Sequence, residues 1–202
     1  MPSILVVCTG NICRSPIAEG FLRHLLGSRG AAAIDVSSAG TSGWDGAPAT
    51  DEAVQAALQR GIDISSHRAR RLHPTHVLQA DLVIGMTTMH RDRAVDMVPE
   101  AHDRSFTLKE LVRLLEALPE REGTVAPDGR TLADRVAEAS RLRDEGFEGN
   151  PHDEDVADPI GMSLAIYRAV AWELDEQCER LVTGLAGRTA PRTLAALWRE
   201  GE

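Results

Sequence analysis

The stretch VVCTGNICRSPIAEG, residues 6–20, places a thiol, a guanidinium and a helix start within one short loop. The apolar run SILVV (3–7) precedes it, bounded by Pro2, and reads as a buried parallel strand. Cys8 follows directly, at the C-terminal edge of the expected sheet, where open α/β sheets bind ligands. Beyond the loop, Ser15 is expected as the N-cap of a helix and Pro16 as its first residue. Ile17, Phe21, Leu22, Leu25 and Leu26 would form its buried face.

The loop has the makings of an anion cradle. The first N–H groups of a helix have no intrahelical partner and carry partial positive charge. A loop whose N–H groups point inward extends that field. Gly10 and Asn11 tolerate the dihedrals such a loop needs, and Arg14 offers a fork to two oxygens of a phosphate. The same field favours thiolate over thiol at Cys8. A thiolate at the base of a phosphate cradle is an in-line nucleophile for phosphorus. A bare C-x5-R spacing is common by chance. The preceding strand, the Gly and Asn inside the loop and the Ser-Pro that closes it give this one its meaning.

Outward from the loop, residues 33–37 (AIDVS) read as a second strand, leading into the Gly-rich loop SAGTSGWDGAP (38–48). A helix from about Thr50 to Arg60 follows, with Gly61 as its C-terminal stop. Residues 81–86 (DLVIGM) make a third buried strand before a helix starting at Thr88. A weaker fourth strand lies near 104–107 (RSFT). The last long helix runs from about Ser163 to Gly184. Strands alternating with helices predict a parallel α/β sheet covered on both faces. Residues 107–155 break that rhythm and read as a helical insertion. Thr107 and Glu110 form a capping box before Leu111, Val112 and Leu115, and Leu132, Val136, Ala139 and Leu142 give a second apolar stripe.

The chain has 202 residues, 43% hydrophobic and 26% charged, enough for one domain with a sizeable core. Its net charge of −9 argues against a general nucleic-acid binder, and the basic run HRARR (67–71) is local. No apolar run approaches the roughly 20 residues of a membrane span, and MPSILVVC lacks the pattern of a signal peptide. The expectation is a cytoplasmic protein. Three cysteines, Cys8, Cys13 and Cys178, do not make a disulfide framework. Cys178 shares a helical stripe with Tyr167, Ala171, Leu174, Leu181 and Leu185 and reads as a core residue. Cys13 is close enough to Cys8 in sequence to form a reversible disulfide with it under peroxide. The histidines, His73 and His76 included, do not suggest a metal site.

The motif VCTGNICRSPIAEG resembles the signature of low-molecular-weight protein-tyrosine phosphatases. The resemblance continues through SAGT (38–41), W-x-G-x-P (44–48), SHRAR (66–70), DLVIGM (81–86) and Asp158-Pro159. It covers roughly residues 1–106 and 155–185. The fold to expect is therefore an α/β three-layer sandwich, flavodoxin-like, with a central, mostly parallel four-stranded sheet. Residues 1–202 would form a single phosphatase domain with a helical insertion at about 107–155. The resemblance implies Cys8 as nucleophile, Arg14 and the loop Thr9, Gly10, Asn11, Ile12, Cys13 and Ser15 as phosphate binders, and Asp158 as general acid. Ser15 would assist the departing thiolate, while Asn11, Ser38 and His67 would brace the loop. Expulsion of a poor leaving group needs a proton, which suits Asp158, although Asp-Pro equally marks a plain turn. Asp153, Glu154 and Asp155 would favour the protonated acid as like charges, or are simply solvated. No metal and no cofactor is expected. The expected partners are a phosphorylated protein and inorganic phosphate, with no nucleic acid and no membrane.

Substrate class is where the pattern departs. Ile160 and Gly161 follow Asp-Pro, where relatives often place aromatic residues, leaving Trp44 with Ile12 and Ile160 as walls for a phenyl ring. Thr87 stands where many relatives carry an acid. Ile12 leans toward phosphotyrosine, since arginine phosphatases resembling this chain carry Thr there. "DPIG" leans toward those arginine phosphatases. Arsenate reductases of the same fold need further redox cysteines, a role Cys178 does not suit. The reading preferred is a phosphotyrosine phosphatase working through a phosphocysteine.

Overall fold

The computed structural model describes residues 1–119, 130–147 and 154–186. In chain order it contains β1 (Ser3–Cys8), α1 (Arg14–Ser28), β2 (Asp35–Gly40), α2 (Asp51–Leu58), α3 (Pro74–Gln79), β3 (Leu82–Gly85) and α4 (Thr88–Met97). A 3-10 turn (Pro99–Arg104) leads to β4 (Ser105–Thr107), α5 (Leu108–Ala117), α6 (Arg130–Asp144) and α7 (Leu164–Ala186). The strands lie in the order β2-β1-β3-β4, and every pairing is parallel. The order reverses between β1 and β3, so the C-terminal end of β1 opens onto the switch point of the sheet.

Alternation along β1 separates the layers. Ile4, Val6 and Cys8 face one side, in a core shared with Ile17, Phe21 and Leu22 of α1 and Leu174, Cys178 and Leu181 of α7. Leu5 and Val7 face the other side, against Val77 of α3 and Ala94 of α4. The result is the expected three-layer α/β sandwich, with a sheet that is parallel throughout. The predicted α7 stripe is buried along its length, and Cys178 is a core residue.

The helices of the 107–155 region are built into the larger core. Leu111 and Leu115 of α5 and Leu132, Val136 and Ala139 of α6 join the same cluster as β1. The α5 capping box is present: Glu110 N–H donates to Thr107 Oγ1 at 3.1 Å, and Thr107 N–H donates to Glu110 Oε2 at 3.0 Å. Arg143 of α6 stacks on Phe106 of β4, 4.5 Å from the ring centroid, and donates to the Ser105 carbonyl at 2.9 Å. Residues 120–129 between the two helices and residues 148–153, Asp153 included, lie outside the described residues.

Two boundaries differ from the sequence reading for physical reasons. Residues 38–40, read as loop, belong to β2, whose ladder with β1 runs to the pair Cys8 and Gly40. Small and polar residues hid that extension. Helix α1 begins at Arg14, with Cys13 in the capping position and no side-chain cap. Ser15 lies inside the first turn, and its hydroxyl serves the loop. The short helix α3, which begins at Pro74, is too brief to leave an apolar stripe in the sequence.

Gly40 shows how tightly β2 abuts the loop after β1. A Cβ at residue 40 would sit 2.6 Å from Thr9 O, 2.9 Å from Gly43 Cα and 3.0 Å from Asn11 N. All three are backbone atoms, so relief requires moving the loop. Gly40→Ala is expected to cost about 1–3 kcal/mol of unfolding free energy in urea titration, as other overpacked sites do. An unchanged midpoint and slope would show that the loop yields freely.

Candidate active site

The loop from Cys8 to Arg14 turns on Asn11, which is fully buried with φ at +55°. This left-handed conformation is disfavoured for most side chains and tolerated by Asn. The Asn11 side chain is saturated. Its Nδ2 donates to Ser15 Oγ at 2.9 Å and Ser38 Oγ at 2.7 Å, and its Oδ1 accepts from Arg70 N–H at 2.9 Å. The backbone carbonyl of Asn11 is paired with His67 Nε2 at 2.8 Å. Asn11, Ser38 and His67, named as braces from the sequence, therefore converge on one point.

This network orders the hydroxyl protons. Ser38 Oγ accepts from Asn11 and donates to Glu19 Oε2 at 2.5 Å. Ser15 Oγ accepts from Asn11, which leaves its own proton for Cys8 Sγ, 3.0 Å away. Asn11 N–H also points at Cys8 Sγ, at 3.3 Å. Two donors thus converge on the sulfur, an arrangement that suits a thiolate.

Arg14 is buried and held on three sides. Nη1 donates to the Val156 carbonyl at 3.0 Å, while Nη2 reaches Asp158 Oδ2 at 2.5 Å and Thr9 Oγ1 at 3.4 Å. Its Nε is buried with no hydrogen-bond partner among the described residues. An unmet buried donor is costly, and on a guanidinium at a helix start it is a ready contact for an anion. Asp158 is more open, its side chain 41% exposed. Its Oδ1 accepts from Ile160 N–H at 3.2 Å, which closes the tip of its loop.

The segment carrying Asp158 is pinned to the sheet edge. Val156 N–H donates to the Met86 carbonyl at 2.8 Å, just past β3. Asp155 Oδ1 accepts from Thr88 N–H at 2.8 Å, at the start of α4. Glu154 pairs with Arg113 of α5 at 2.5 Å. Glu154 and Asp155 thus anchor this segment to α5 and α4, with Asp155 still exposed to solvent.

Cys8, Thr9, Gly10, Ile12, Cys13, Arg14, Ser42, Trp44, Asp158 and Ile160 line one cleft of about 200 Å³. The buried Cys8 and Arg14 and the more open Asp158 supply its chemical groups, and Ile12, Trp44 and Ile160 supply apolar wall. Trp44 and Ile160 are 70% and 51% exposed, so the walls rise above the surface. Cys13, although part of the lining, has its Sγ 3.7 Å from Thr50 Oγ1 and 3.6 Å from Tyr167 Oη. Burial pushes the Cys13 thiol up, and burial likewise pushes the Tyr167 hydroxyl up to about 12. All three cysteines are free thiols. His73 and His76 do not line the cleft. Among the described residues, no group of three or more His, Cys, Asp or Glu is placed to hold a metal ion.

Several contributors went unnamed in the sequence reading. Glu19 and Arg70 stood inside quoted motifs, but nothing in their spacing linked them to Ser38 and Asn11. His90, buried on α4, pairs with Thr9 Oγ1 at 2.9 Å through Nε2 and with Thr87 Oγ1 at 2.7 Å through Nδ1. Burial, and then the nearby Arg14 charge, push its imidazole down to about 4. The T-x-x-H spacing at 87–90, a cap residue three places before a histidine, was the available signal.

Comparison with known proteins agrees with this geometry. The family model for low molecular weight phosphotyrosine protein phosphatase matches residues 3–118. A protein-arginine-phosphatase of Geobacillus stearothermophilus is 32% identical over 182 residues, covering 90% of this chain and 95% of that protein. The low molecular weight protein-tyrosine-phosphatase Etp of Escherichia coli is 37% identical over 104 residues, covering 52% of this chain and 67% of its own length. The crystal structure of a low molecular weight protein tyrosine phosphatase from T. tengcongensis superposes with a TM-score of 0.67 at 33% identity, covering 90% of this chain and 98% of that one. The family model spans more than half of the chain, from β1 through α5, and with it this chain belongs to the low-molecular-weight phosphotyrosine protein phosphatase family.

Proposed function

We propose that this phosphatase hydrolyses phosphotyrosine on proteins through a phosphocysteine at Cys8. The observation that carries the reading is the cleft itself. A sulfur receiving two donors lies at its base, and Ile12, Trp44 and Ile160 form apolar walls suited to a phenyl ring. Asp158 is the only carboxylate among the lining residues, and it faces Arg14. A phosphoarginine side chain would bring guanidinium N–H donors into that slot with few acceptors to meet them.

The steps follow from the positions. Arriving phosphate, a dianion, takes over Arg14, whose Nε lacks a partner among the described residues, and this releases Asp158 to hold a proton. Cys8 Sγ attacks phosphorus in line with the leaving phenolic oxygen. Asp158 gives that oxygen its proton as the P–O bond breaks. The resulting carboxylate then removes a proton from water, which attacks the phosphocysteine. The thiolate departs into the donors from Ser15 and Asn11. The loop N–H groups of residues 9–15 and Arg14 hold the three equatorial oxygens throughout. The same reading takes residues 1–202 as one phosphatase domain carrying the 107–155 helices as an insertion. Cys178 does not line the cleft, which disfavours thiol-relay reduction of an oxyanion.

A second reading, protein-arginine phosphatase, is favoured by the near full-length similarity to the Geobacillus stearothermophilus protein. The choice turns on Ile12. One apolar contact is worth roughly 1–3 kcal/mol of discrimination, so the preference is expected to be moderate. In kcat/KM on matched phosphotyrosine and phosphoarginine peptides, the wild type should favour phosphotyrosine, and Ile12→Thr should shift the ratio toward phosphoarginine. Preference of the wild type for phosphoarginine would establish the second reading.

Two further outcomes test the assigned roles. Cys8→Ser should abolish turnover yet still bind phosphate or vanadate, because the cradle is mostly backbone and Arg14; substantial residual turnover would remove Cys8 as nucleophile. Asp158→Ala should slow aryl phosphates with poor leaving groups by about 10²–10⁴-fold and those with good leaving groups far less. Equal impairment across the series would assign the acid to another residue.

A further inference from the structure

We propose that Thr87, His90 and Thr9 form an ordered hydrogen-bond chain that fixes the Thr9 hydroxyl as a donor to the phosphoryl oxygens of the substrate, with His90 as its positioning residue. The proposal rests on the reading of the cleft as a phosphate site.

The direction of the chain follows from counting protons. His90 is neutral, so one ring nitrogen donates and the other accepts. Thr87 Oγ1 caps α4 and already accepts the His90 backbone N–H at 3.4 Å. Its other contact among the described residues is His90 Nδ1, at 2.7 Å. If Nδ1 carried the proton, the Thr87 hydroxyl would accept twice, and its own proton would be buried without an acceptor. The arrangement that satisfies every atom has Thr87 donating to Nδ1. The ring proton then sits on Nε2 and is donated to Thr9 Oγ1 at 2.9 Å.

Thr9 is thereby left with one role. Its oxygen accepts from His90 Nε2 and, at 3.4 Å, from Arg14 Nη2. Both lone pairs are used, so its own proton must point elsewhere, and Thr9 lines the cleft. A hydroxyl that accepts from a cation and donates outward is a polarised donor, suited to an anionic oxygen. A hydroxyl free to rotate would spend part of its time as an acceptor, facing phosphate with a lone pair. His90 removes that choice. The competing account is that His90 only fills space beneath the loop and helps cap α4.

The test uses the full chain and inorganic phosphate as a competitive inhibitor, with thermal midpoints recorded for every variant. Thr9→Val keeps the shape and removes the hydroxyl; it should weaken phosphate inhibition about tenfold, the scale of one hydrogen bond to a charged group. His90→Leu should weaken it similarly, and the double variant should be no worse than either single one, because His90 acts through Thr9. His90→Gln, whose amide nitrogen can stand in for Nε2, should recover most of the loss. Additive losses, no recovery with Gln, or a His90→Leu enzyme with a lowered midpoint and normal phosphate inhibition would each overturn the proposal. If His90→Leu does not fold, Thr9→Val decides alone, and unchanged inhibition overturns it. A wild type that neither binds phosphate nor hydrolyses aryl phosphates would remove the phosphate site itself; a competent wild type with a normal Thr9→Val variant would sink only this inference.

Discussion

A left-handed asparagine, buried at the turn of the loop after β1, is the constraint on which the cleft depends. Asn11 at φ +55° turns the loop back over the end of β1, and its own N–H reaches Cys8 Sγ. Left-handed backbone costs about 1–2 kcal/mol for an ordinary residue and less for Asn. Three side-chain hydrogen bonds and one to the carbonyl hold it there, each worth about 0.5–1.5 kcal/mol net. Together they outweigh the backbone cost. They also tie three separate parts of the chain to one residue: α1 through Ser15, β2 through Ser38, and the 67–70 segment through Arg70 on the side chain and His67 on the backbone carbonyl. The cradle is therefore formed by folding and needs no ligand to assemble it.

The second tie crosses the sheet. Asp158 comes from far along the chain, yet the residues before it are hydrogen-bonded to Met86 past β3 and to Thr88 at the start of α4. Lys109 of α5 adds a bond to the Asp155 carbonyl at 3.0 Å. Arg14 then reaches over from α1 to the Val156 carbonyl and to Asp158 itself. The loop that presents the carboxylate is thus positioned by the switch point of the sheet and by α5. This gives α5 a mechanical part in the site, because its Arg113 pairs with Glu154 and its Lys109 holds the Asp155 carbonyl immediately before the loop.

Much of this was legible in the residues. Strands such as SILVV and DLVIG are continuous apolar runs that parallel burial requires, and Cys178 was placed in the core by its stripe on α7. Capping of α5 was readable because Thr107 and Glu110 satisfy each other locally. Cys8, Arg14 and Asp158 were named from the loop chemistry and the family resemblance, and the structure brings them into one cleft. What was not legible depends on contacts between distant residues. The extension of β2 through Gly40 is made by pairing with β1, against the loop-like composition of residues 38–40. Ser15 reads as a cap by position and is recruited by Asn11 and Cys8. Glu154 and Asp155 read as loose acidic charge, and their partners Arg113 and Thr88 are brought to them only by the fold. For His90 the T-x-x-H spacing at 87–90 was a local signal, but its partner Thr9 lies 81 positions away and only the fold brings the two together.

The central claim is that phosphate leaves its substrate by way of the Cys8 sulfur. Acid quenching during the first turnover of an aryl phosphate, followed by peptide mapping in the mass spectrometer, tests it directly. The account predicts a phosphoryl group on the peptide containing Cys8, lying on the cysteine itself, that forms before steady state and disappears as substrate is exhausted. Steady phosphate release with no phosphorylated enzyme at any time, or with the phosphoryl group on another residue, would contradict it.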